Sequence, residues 1–365
     1  MAKKCYAPDM FGLWRQRKKK VFVGLSGGVD SGVSAALLKE QGYDVVGVFI
    51  RIALPGYPCQ AGEDKLSAMR VAAHLRIPFM EIDLSDRYAA AVFKNTVSQY
   101  GAGRTPNPDT LCNREIKFGA FFDFAKAHGA DFVATGHYAQ IKNGELYMGA
   151  DSKKDQSYFL WMVPQAVLGQ VLFPVGGMEK PAVRALAEKY QLPNAARKDS
   201  QGLCFLGDLT IEDMLRHELT VRPGAVLSIA GKSIGTHDGA ALYTLGQRHG
   251  FMLTEHSPDT KPHFVVGVDV QKNTITVSAD QYPTHAKETV VTLQDVSWIG
   301  EVAPGEYQAR FRYRQPLIEA KLMLDRSSAT VVLAVPRYVP QGQSLVLYQG
   351  ERCLGGGVVA QVELR

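Results

Sequence analysis

The stretch GLSGGVDS, residues 24–31, decides the fold class of this 365-residue chain. It follows the apolar run VFV and precedes a segment in which apolar residues recur three and four positions apart, as on one face of a helix. A glycine-rich turn between a strand and a helix presents backbone N–H groups to an anion. The loop has no lysine and instead carries Asp30, Ser26 and Ser31. It predicts a phosphate site of unusual composition in an α/β domain.

Strand-like and helix-like segments alternate outward from this loop to about residue 140. The predicted strands are VFVGL, DVVGVFIRI, PFMEIDL and ADFVATGHY, and the predicted helices are SGVSAALLKEQG, EDKLSAMRVAAHL and DRYAAAVFKNTVSQY. This alternation predicts βαβ units with a parallel sheet, and ligands of such sheets bind beyond the carboxyl ends of the strands. The loop at residues 24–31 lies at such an end.

The remaining chain predicts two smaller domains. Short mixed segments rich in Gly and His run from residue 206 to 285, and alternating runs such as YQARFRYR, ATVVLAV and QSLVLYQG follow from 286 to 365. We expect a basic tail at 1–20, a catalytic domain at 21–205, a small α+β domain at 206–285 and an all-β barrel at 286–365. In YQARFRYR, strand alternation would place Arg310, Arg312 and Arg314 on one face, either as a solvated surface or as a row suited to a phosphate backbone.

Composition narrows the class of protein. Apolar content of 46% and charged content of 21% are typical of a folded protein, and no apolar run is long enough for a membrane span. The N-terminus lacks the apolar core of a secretory signal, so we expect a cytoplasmic protein. The net charge of +5 comes from residues 1–20, which hold seven Lys/Arg and one Asp. That tail is either a solvated arm or a weak phosphate-binding segment.

The loop composition indicates the bond that is cleaved. In a Walker loop a lysine reaches the β- and γ-phosphates, where a phosphoryl group is transferred. A loop of Ser and Gly can instead hold pyrophosphate as a leaving group, so that AMP is transferred, with Asp30 acting through magnesium or shaping the loop. The plainer alternative is an ordinary turn whose Ser and Asp cap the next helix.

Two of the five cysteines lie in unusual surroundings. In TPNPDTLCNREIKF, Asp109 is expected to cap a helix and Cys112 to share its first turn, where the helix N-terminus lowers a thiol pKa. Asp109 opposes that shift and is better assigned as a proton donor or acceptor. In KDSQGLCFLG, Cys204 follows a glycine in a loop. Zinc-type C-x-x-C spacing is missing, and Cys5, Cys59 and Cys353 are expected to be buried as small apolar residues.

Taken in order, these motifs resemble one family. SGGVDS, TPNPDTLCNREIKF, ATGHY, KDQSYFL, LFPVG, KDSQGLCF, YTLGQRHG, RYRQ and CLGGG occur as they do in bacterial tRNA-specific 2-thiouridylases of the PP-loop ATPase superfamily. The resemblance covers residues 21 to 365. It implies a HUP-type, Rossmann-like catalytic domain followed by the two smaller domains.

The resemblance also implies a reaction. ATP, with Mg²⁺, would activate the 2-oxo group of the wobble uridine of tRNA by adenylation, and sulfur would then replace it. Cys204 resembles the persulfide carrier, loaded by a cysteine desulfurase or sulfur-relay protein. Cys112 resembles the nucleophile that leaves a Cys112–Cys204 disulfide, and Asp109 resembles the acid/base. A reductant would then be needed.

Site residues carry over by the same resemblance. Ile50 stands where many members have methionine, so only a contact of its backbone with adenine carries over from the family. Residues 250–261 also differ from the family's sequence. His137 could equally be a core histidine. The implied nucleotide contacts are Gly24, Leu25, Ser26, Gly27, Gly28, Val29, Asp30, Ser31, Ile50 and Gly136; the implied tRNA contacts are Asn107, Pro108 and Asp109 at the target base, with His137, Lys154, Asp155, Gln156, Arg312, Tyr313 and Gln343.

Two alternative functions stay open at this stage. A different PP-loop enzyme could be an amidating ligase, which needs no paired cysteines, or a thiolase with an iron–sulfur cluster, which needs a third closely spaced cysteine. An RNA-binding protein with a relic ATP site would bind tRNA regardless of ATP.

Overall fold

The computed structural model describes residues 17–57, 61–199, 204–207, 209–254, 261–325 and 328–365. It divides into an α/β part, a small central part and a β-barrel. Most of the basic tail, Cys5, Cys59 and much of the departure at 250–261 lie outside the described residues. No helix within the described ranges is long and apolar enough to cross a membrane.

A five-stranded parallel sheet forms the core of the α/β part, in the order β3-β2-β1-β4-β7. Neighbouring residues of the first strand point to opposite faces: Val21 and Val23 join one apolar cluster, and Phe22 joins the other. Both faces are therefore covered, as a parallel sheet requires. The strands of this part of the chain are β1 Lys20–Gly24, β2 Asp44–Arg51, β3 Phe79–Asp83, β4 Phe132–Ala134, β5 Ala139–Lys142, β6 Glu145–Met148 and β7 Val171–Leu172.

Helices cover both faces of this sheet, as the alternating pattern predicts. Two of them contain π-helical segments, Ala89–Phe93 and Asn113–Ala120, and a 3-10 turn spans Ser157–Phe159. The α-helices are α1 Val29–Glu40, α2 Ala61–His74, α3 Ser85–Tyr88, α4 Lys94–Gly101, α5 Pro108–Cys112, α6 Phe121–Ala127, α7 Gln165–Leu168 and α8 Lys180–Lys189.

The central part is a small α+β unit. Helix α9, Ile211–Glu218, begins at Thr210, whose side chain and that of Asp213 form a reciprocal capping box. Its buried Met214 and Leu215 belong to the apolar cluster of the α/β part. A 3-10 turn spans Ala240–Leu242, and the sheet order is β10-β9-β8-β12-β11. The strands are β8 Gly224–Ser228, β9 Ser233–His237, β10 Phe251–Leu253, β11 Phe264–Asp269 and β12 Thr274–Ser278.

The C-terminal part is a closed antiparallel barrel. Its strands run in the order β13-β16-β15-β14-β17-β18, and pairing of the last with the first closes it. The hairpin β5–β6 extends the barrel sheet, with Tyr147 opposite Arg352 and Leu146 opposite Cys353. The strands are β13 Thr289–Trp298, β14 Gly305–Arg310, β15 Ile318–Leu324, β16 Ala329–Leu333, β17 Ser344–Gln349 and β18 Arg352–Leu364.

The predicted row of three arginines is wrong. Strand β14 ends at Arg310, and a turn follows at residues 311–314, in which Arg314 has a left-handed φ of 60°. Arg310 is buried and paired with Asp155, whereas Arg312 is half-buried. Arginines thus continue to alternate with other residues in YQARFRYR beyond the end of the strand, and the three do not share one strand face.

Candidate active site

The glycine-rich loop at residues 24–31 joins β1 to α1. Gly27 has a φ of +79°, and a Cβ there would lie 2.5 Å from the Asp64 carbonyl oxygen. Gly28 precedes the first helical residue and contributes no side-chain cap. The N–H groups of the first turn of α1 can therefore face a bound anion, which fits the phosphates of a nucleotide.

Gly136 faces this loop from the end of β4. A Cβ at Gly136 would lie 2.8 Å from the backbone nitrogen of Ser31 and 2.8 Å from the carbonyl carbon of Asp30. Only glycine permits so close an approach of the two segments. Ile50 is buried near the carboxyl end of β2. Its backbone therefore lies at the end of the sheet where the loop at residues 24–31 begins.

A lysine from another helix pairs with the aspartate of the loop. Lys180 begins α8 and places its Nζ 2.7 and 2.9 Å from the two carboxylate oxygens of Asp30. The Tyr138 hydroxyl donates to the same carboxylate at 2.8 Å. The sequence analysis did not find Lys180, because it lies 150 residues from its partner and belongs to no motif of the loop.

A cluster of cations surrounds Asp199, the last described residue before position 204. Its carboxylate lies 2.8 Å from Lys180 Nζ, 2.7 Å from Lys154 Nζ and 2.6 Å from an Arg184 nitrogen. Partial burial acts to raise the pKa of Asp199, but hydrogen bonds from Lys154 and Lys180 outweigh it and hold the pKa well below its ordinary value. Asp199 is therefore ionised, and its carboxylate pairs with three basic side chains.

The two cysteines singled out in the sequence meet in the structure. The Cys112 thiol donates to Cys204 Sγ at 3.5 Å, across 92 residues of chain. Cys112 is fully buried at the end of α5, directly before the π-helical segment, and Cys204 is half-buried. The Tyr88 hydroxyl donates to the Cys204 carbonyl oxygen at 3.2 Å, and Phe205 next to it has a φ of 69°. π-Helical insertions often mark functional positions.

The capping prediction for this helix is wrong in one detail. Asn107, not Asp109, is the N-cap, and its side chain accepts a hydrogen bond from Thr110 N at 3.3 Å. Pro108 occupies the first turn, where its missing N–H carries no penalty. Asp109 therefore does not cap the helix, and it lies three residues before Cys112.

The pKa of the Cys112 thiol also differs from the expectation. Burial raises the pKa of the Cys112 thiol well above its ordinary value, so the predicted lowering by the helix N-terminus is wrong. The hydrogen bond from Cys112 and the nearby Lys117 ammonium lower the pKa of Cys204 to about 7. Burial raises the pKa of Asp109, which suits a group that exchanges a proton.

Lys117 lies at the centre of this group and was missed in the sequence. Burial opposes its charge, but Cys204, Cys112 and Asp109 outweigh that effect and raise the Lys117 pKa. Lys117 occurs in the quoted motif TPNPDTLCNREIKF, five residues after Cys112, so its position on the same helix was the available signal.

The segment that leads into α5 contacts both other parts of the molecule. Thr105 N donates to the Gln341 carbonyl oxygen of the barrel at 2.7 Å, and Thr105 Oγ1 lies 2.8 Å from Thr244 Oγ1 of the central part. Arg312 of the barrel donates to the Leu245 carbonyl oxygen at 2.6 Å. The position of α5 thus depends on the whole molecule.

Comparisons with known proteins follow the same division. The tRNA methyl transferase HUP domain matches residues 19–208, the tRNA methyl transferase PRC-barrel domain matches 212–279, and the aminomethyltransferase beta-barrel domain matches 288–359. The tRNA-specific 2-thiouridylase MnmA of Streptococcus agalactiae serotype Ia is 42% identical over 356 residues, covering 94% of this chain and 95% of that protein. MnmA 2 of Geobacillus kaustophilus is 42% identical over 355 residues, with the same coverage. The chain belongs to the tRNA-specific 2-thiouridylase family.

Membership of the 2-thiouridylase family confirms the resemblance and the fold class predicted from the motifs. The domain boundaries at 20, 205 and 285 stay predictions, although the three matched ranges divide the chain near them. Within the described ranges, no group of three or more His, Cys, Asp or Glu side chains could hold a metal ion. Cys353 is buried in the barrel, as expected.

Three residues that 2-thiouridylase motifs assign to tRNA are buried in this structure, namely Pro108, His137 and Asp155. His137 Nδ1 lies 2.7 Å from Thr135 Oγ1, its Nε2 lies 3.3 Å from Lys117 Nζ, and burial holds its pKa well below the ordinary value. Asp155 pairs with Arg310 and accepts hydrogen bonds from Gly149 N and Ser157 N. The side chains of His137 and Asp155 thus have internal partners, and their contacts with tRNA stay predictions.

The other predicted tRNA residues of this 2-thiouridylase are half-buried. Gln343 Oε1 accepts from the Tyr158 hydroxyl at 3.0 Å, and the Tyr313 ring packs at a tilt of 43° against the Phe159 ring, with the centroids 4.8 Å apart. Gln156 Oε1 accepts from Tyr138 N at 3.0 Å. The half-buried set comprises Asn107, Asp109, Lys154, Gln156, Arg312, Tyr313 and Gln343.

Proposed function

We propose that this protein is a tRNA 2-thiouridylase, an ATP-dependent sulfurtransferase that replaces the 2-oxo group of the wobble uridine with sulfur. The observation that supports it is the meeting of two thiols, 3.5 Å apart, in the same domain as a phosphate loop without a lysine of its own. The loop and Gly136 would hold ATP, and Mg²⁺ would accompany its phosphates. The products are 2-thiouridine, AMP and pyrophosphate.

The sulfur transfer assigns different roles to the two thiols. Cys204 has the lower pKa and is the residue that a donor protein, a cysteine desulfurase or a sulfur-relay partner, would load as a persulfide. Its terminal sulfur attacks C2 of the adenylated uridine, and AMP leaves with the former oxygen. Attack of Cys112 on Cys204 Sγ then breaks the sulfur–sulfur bond, leaves the thiocarbonyl on the base and forms a disulfide.

Proton and electron balance involves the neighbouring side chains. Cys112 must lose its proton before it attacks, and its raised pKa requires an acceptor for that proton, a role that suits Asp109. Lys117 stabilises the thiolate that forms. The two cysteine thiols lose two electrons when the disulfide forms, and the sulfane sulfur gains them as it becomes the thiocarbonyl sulfur of the base. An external dithiol then returns the enzyme to its reduced state, as a cytoplasmic location would permit. The separation of 3.5 Å must shorten to about 2 Å in the disulfide.

The target base must leave the anticodon stack to reach this site. Asn107, Pro108 and Asp109 begin the catalytic helix, and we assign them to the displaced uridine. Lys154, Gln156, Arg312, Tyr313 and Gln343 are assigned to the surrounding tRNA. Recognition of a single-stranded loop by several domains is the usual mode for RNA.

A single-turnover assay tests this function. Enzyme carrying a labelled persulfide is mixed with tRNA and ATP, and label in the wobble uridine is measured together with AMP. We expect transfer with wild type and with the control Cys5→Ser, and no transfer with Cys112→Ser or Cys204→Ser. Formation of ADP instead of AMP, or transfer that survives both substitutions, would contradict the proposal.

A further inference from the structure

All three hydrogen-bond donors of the Lys180 ammonium are in use. Nζ lies 2.7 and 2.9 Å from the Asp30 carboxylate oxygens and 2.8 Å from an Asp199 oxygen. An ammonium group has three N–H donors. The side chain is only 13% exposed, so water supplies little further solvation. Any new anion that binds Lys180 must therefore displace one of these two carboxylates.

The two carboxylates lie on different functional segments. Asp30 is in the phosphate loop and first turn of α1, whereas Asp199 lies five residues before Cys204 in the sequence. A carboxylate beside bound phosphates is repulsive unless a cation neutralises it. Lys180 supplies that cation to Asp30, so it lies beside the position where phosphates would be held.

Breaking the contact of Lys180 with Asp199 costs less free energy than breaking its contact with Asp30. Without Lys180, Asp199 keeps Lys154 at 2.7 Å and Arg184 at 2.6 Å. Asp30 would keep only the neutral hydroxyl of Tyr138 among the side-chain contacts described for it. Leaving a half-buried carboxylate without a cation costs more than removing one of three cations.

We propose that Lys180 is a phosphate-binding residue that exchanges Asp199 for an oxygen of the bound pyrophosphate moiety. The phosphate loop thereby obtains its lysine from α8, and nucleotide and Asp199 compete for one cation. The proposal rests on the proposed function only in taking ATP, and the pyrophosphate derived from it, as the natural anion. It adds that bound phosphate removes one of the three cations that pair with Asp199.

Calorimetric titration of the full-length protein with inorganic pyrophosphate, and separately with ATP, tests the exchange. We expect Lys180→Ala to bind pyrophosphate at least about tenfold more weakly, because a charge-assisted hydrogen bond is lost. Lys180→Arg should recover part of the affinity. The matched control is Lys189→Ala on the same helix, whose ammonium lies over the Tyr190 ring and which should bind as wild type does.

A substitution of the competing carboxylate gives an effect of the opposite sign. Asp199→Asn should bind pyrophosphate several-fold more tightly, since Lys180 no longer has to leave a charged partner. That gain should vanish when Asp199→Asn is combined with Lys180→Ala. A purely structural role for this cluster predicts the reverse, namely weaker binding in Asp199→Asn.

The two proposals fail in distinguishable ways. Unchanged pyrophosphate affinity in Lys180→Ala, or weaker binding in Asp199→Asn, would overturn the exchange and leave sulfur transfer untouched. Absence of thiolation with the pyrophosphate effects intact would instead overturn the proposed function, because the titrations use neither tRNA nor sulfur.

Discussion

At the scale of single residues, the hydrogen bond from Cys112 and the ammonium group of Lys117 lower the pKa of the Cys204 thiol. A nearby positive charge favours the thiolate form, and the Cys204 pKa of about 7 reflects the hydrogen bond from Cys112 together with Lys117. Thiolate, not thiol, takes up sulfur and reacts with electrophiles. The rate at which Cys204 is modified should therefore rise as the pH passes through about 7.

Replacing Lys117 with methionine removes this charge while keeping an unbranched side chain. We expect the midpoint of Cys204 alkylation by iodoacetamide, measured by peptide mass spectrometry against pH, to move upward by about one unit. Lys153→Met is the control, since Lys153 is exposed. An unchanged midpoint in Lys117→Met would show that Lys117 does not stabilise the thiolate.

At the scale of elements, the loop between β1 and α1 tolerates only glycine at position 27. Gly27→Ala combines a left-handed φ with a Cβ that lies 2.5 Å from the Asp64 carbonyl oxygen. Gly42→Ala is a matched control because Gly42 has a φ of +90° with nothing within 4 Å. We expect Gly42→Ala to lose about 1 kcal/mol of stability to backbone strain, and Gly27→Ala to lose more than that because of the clash and also to lose ATP binding. Equal ATP binding in the two variants would argue against a nucleotide site at this loop.

Elements of regular period were predictable, and contacts between distant segments were not. Alternation of strands and helices predicted the parallel sheet, because each element must bury one apolar face. The motifs likewise singled out Cys112 and Cys204, whose Sγ atoms lie 3.5 Å apart in the structure. Lys180 and the buried role of Asp155 could not be inferred, because each depends on a partner 150 or more residues away. The prediction of an arginine row in YQARFRYR was wrong because the alternation of residue types does not indicate where a strand ends.

At the scale of the whole molecule, a buried ion pair joins the barrel to the α/β part. Arg310 and Asp155 are each under a tenth exposed, and the Arg310 guanidinium also donates to the Tyr348 hydroxyl at 2.7 Å. Removing one partner of a buried pair leaves an uncompensated charge. Breaking the Arg310–Asp155 pair therefore costs free energy, and this cost holds the barrel and the α/β part together.

Asp155→Ala should lower the free energy of unfolding by about 3–5 kcal/mol in urea titrations. Glu363→Ala is the control, because its partner Arg365 is exposed and such pairs contribute about 0–1 kcal/mol. The double variant Asp155→Ala with Arg310→Met should recover much of the loss. A loss in Asp155→Ala no larger than in the control would show that Arg310 finds another partner.

The hairpin β5–β6 also has a consequence for synthesis of the chain. Strand β6 of this hairpin pairs with the start of β18, which is synthesised about 200 residues later. At common elongation rates this delay is about 10 to 40 s. During that interval Leu146 and Trp161 have no barrel side chains such as Tyr348 and Cys353 to bury against. The nascent catalytic part therefore emerges with an unfinished core, and its folding has to wait for the last strand or be shielded by a chaperone until then.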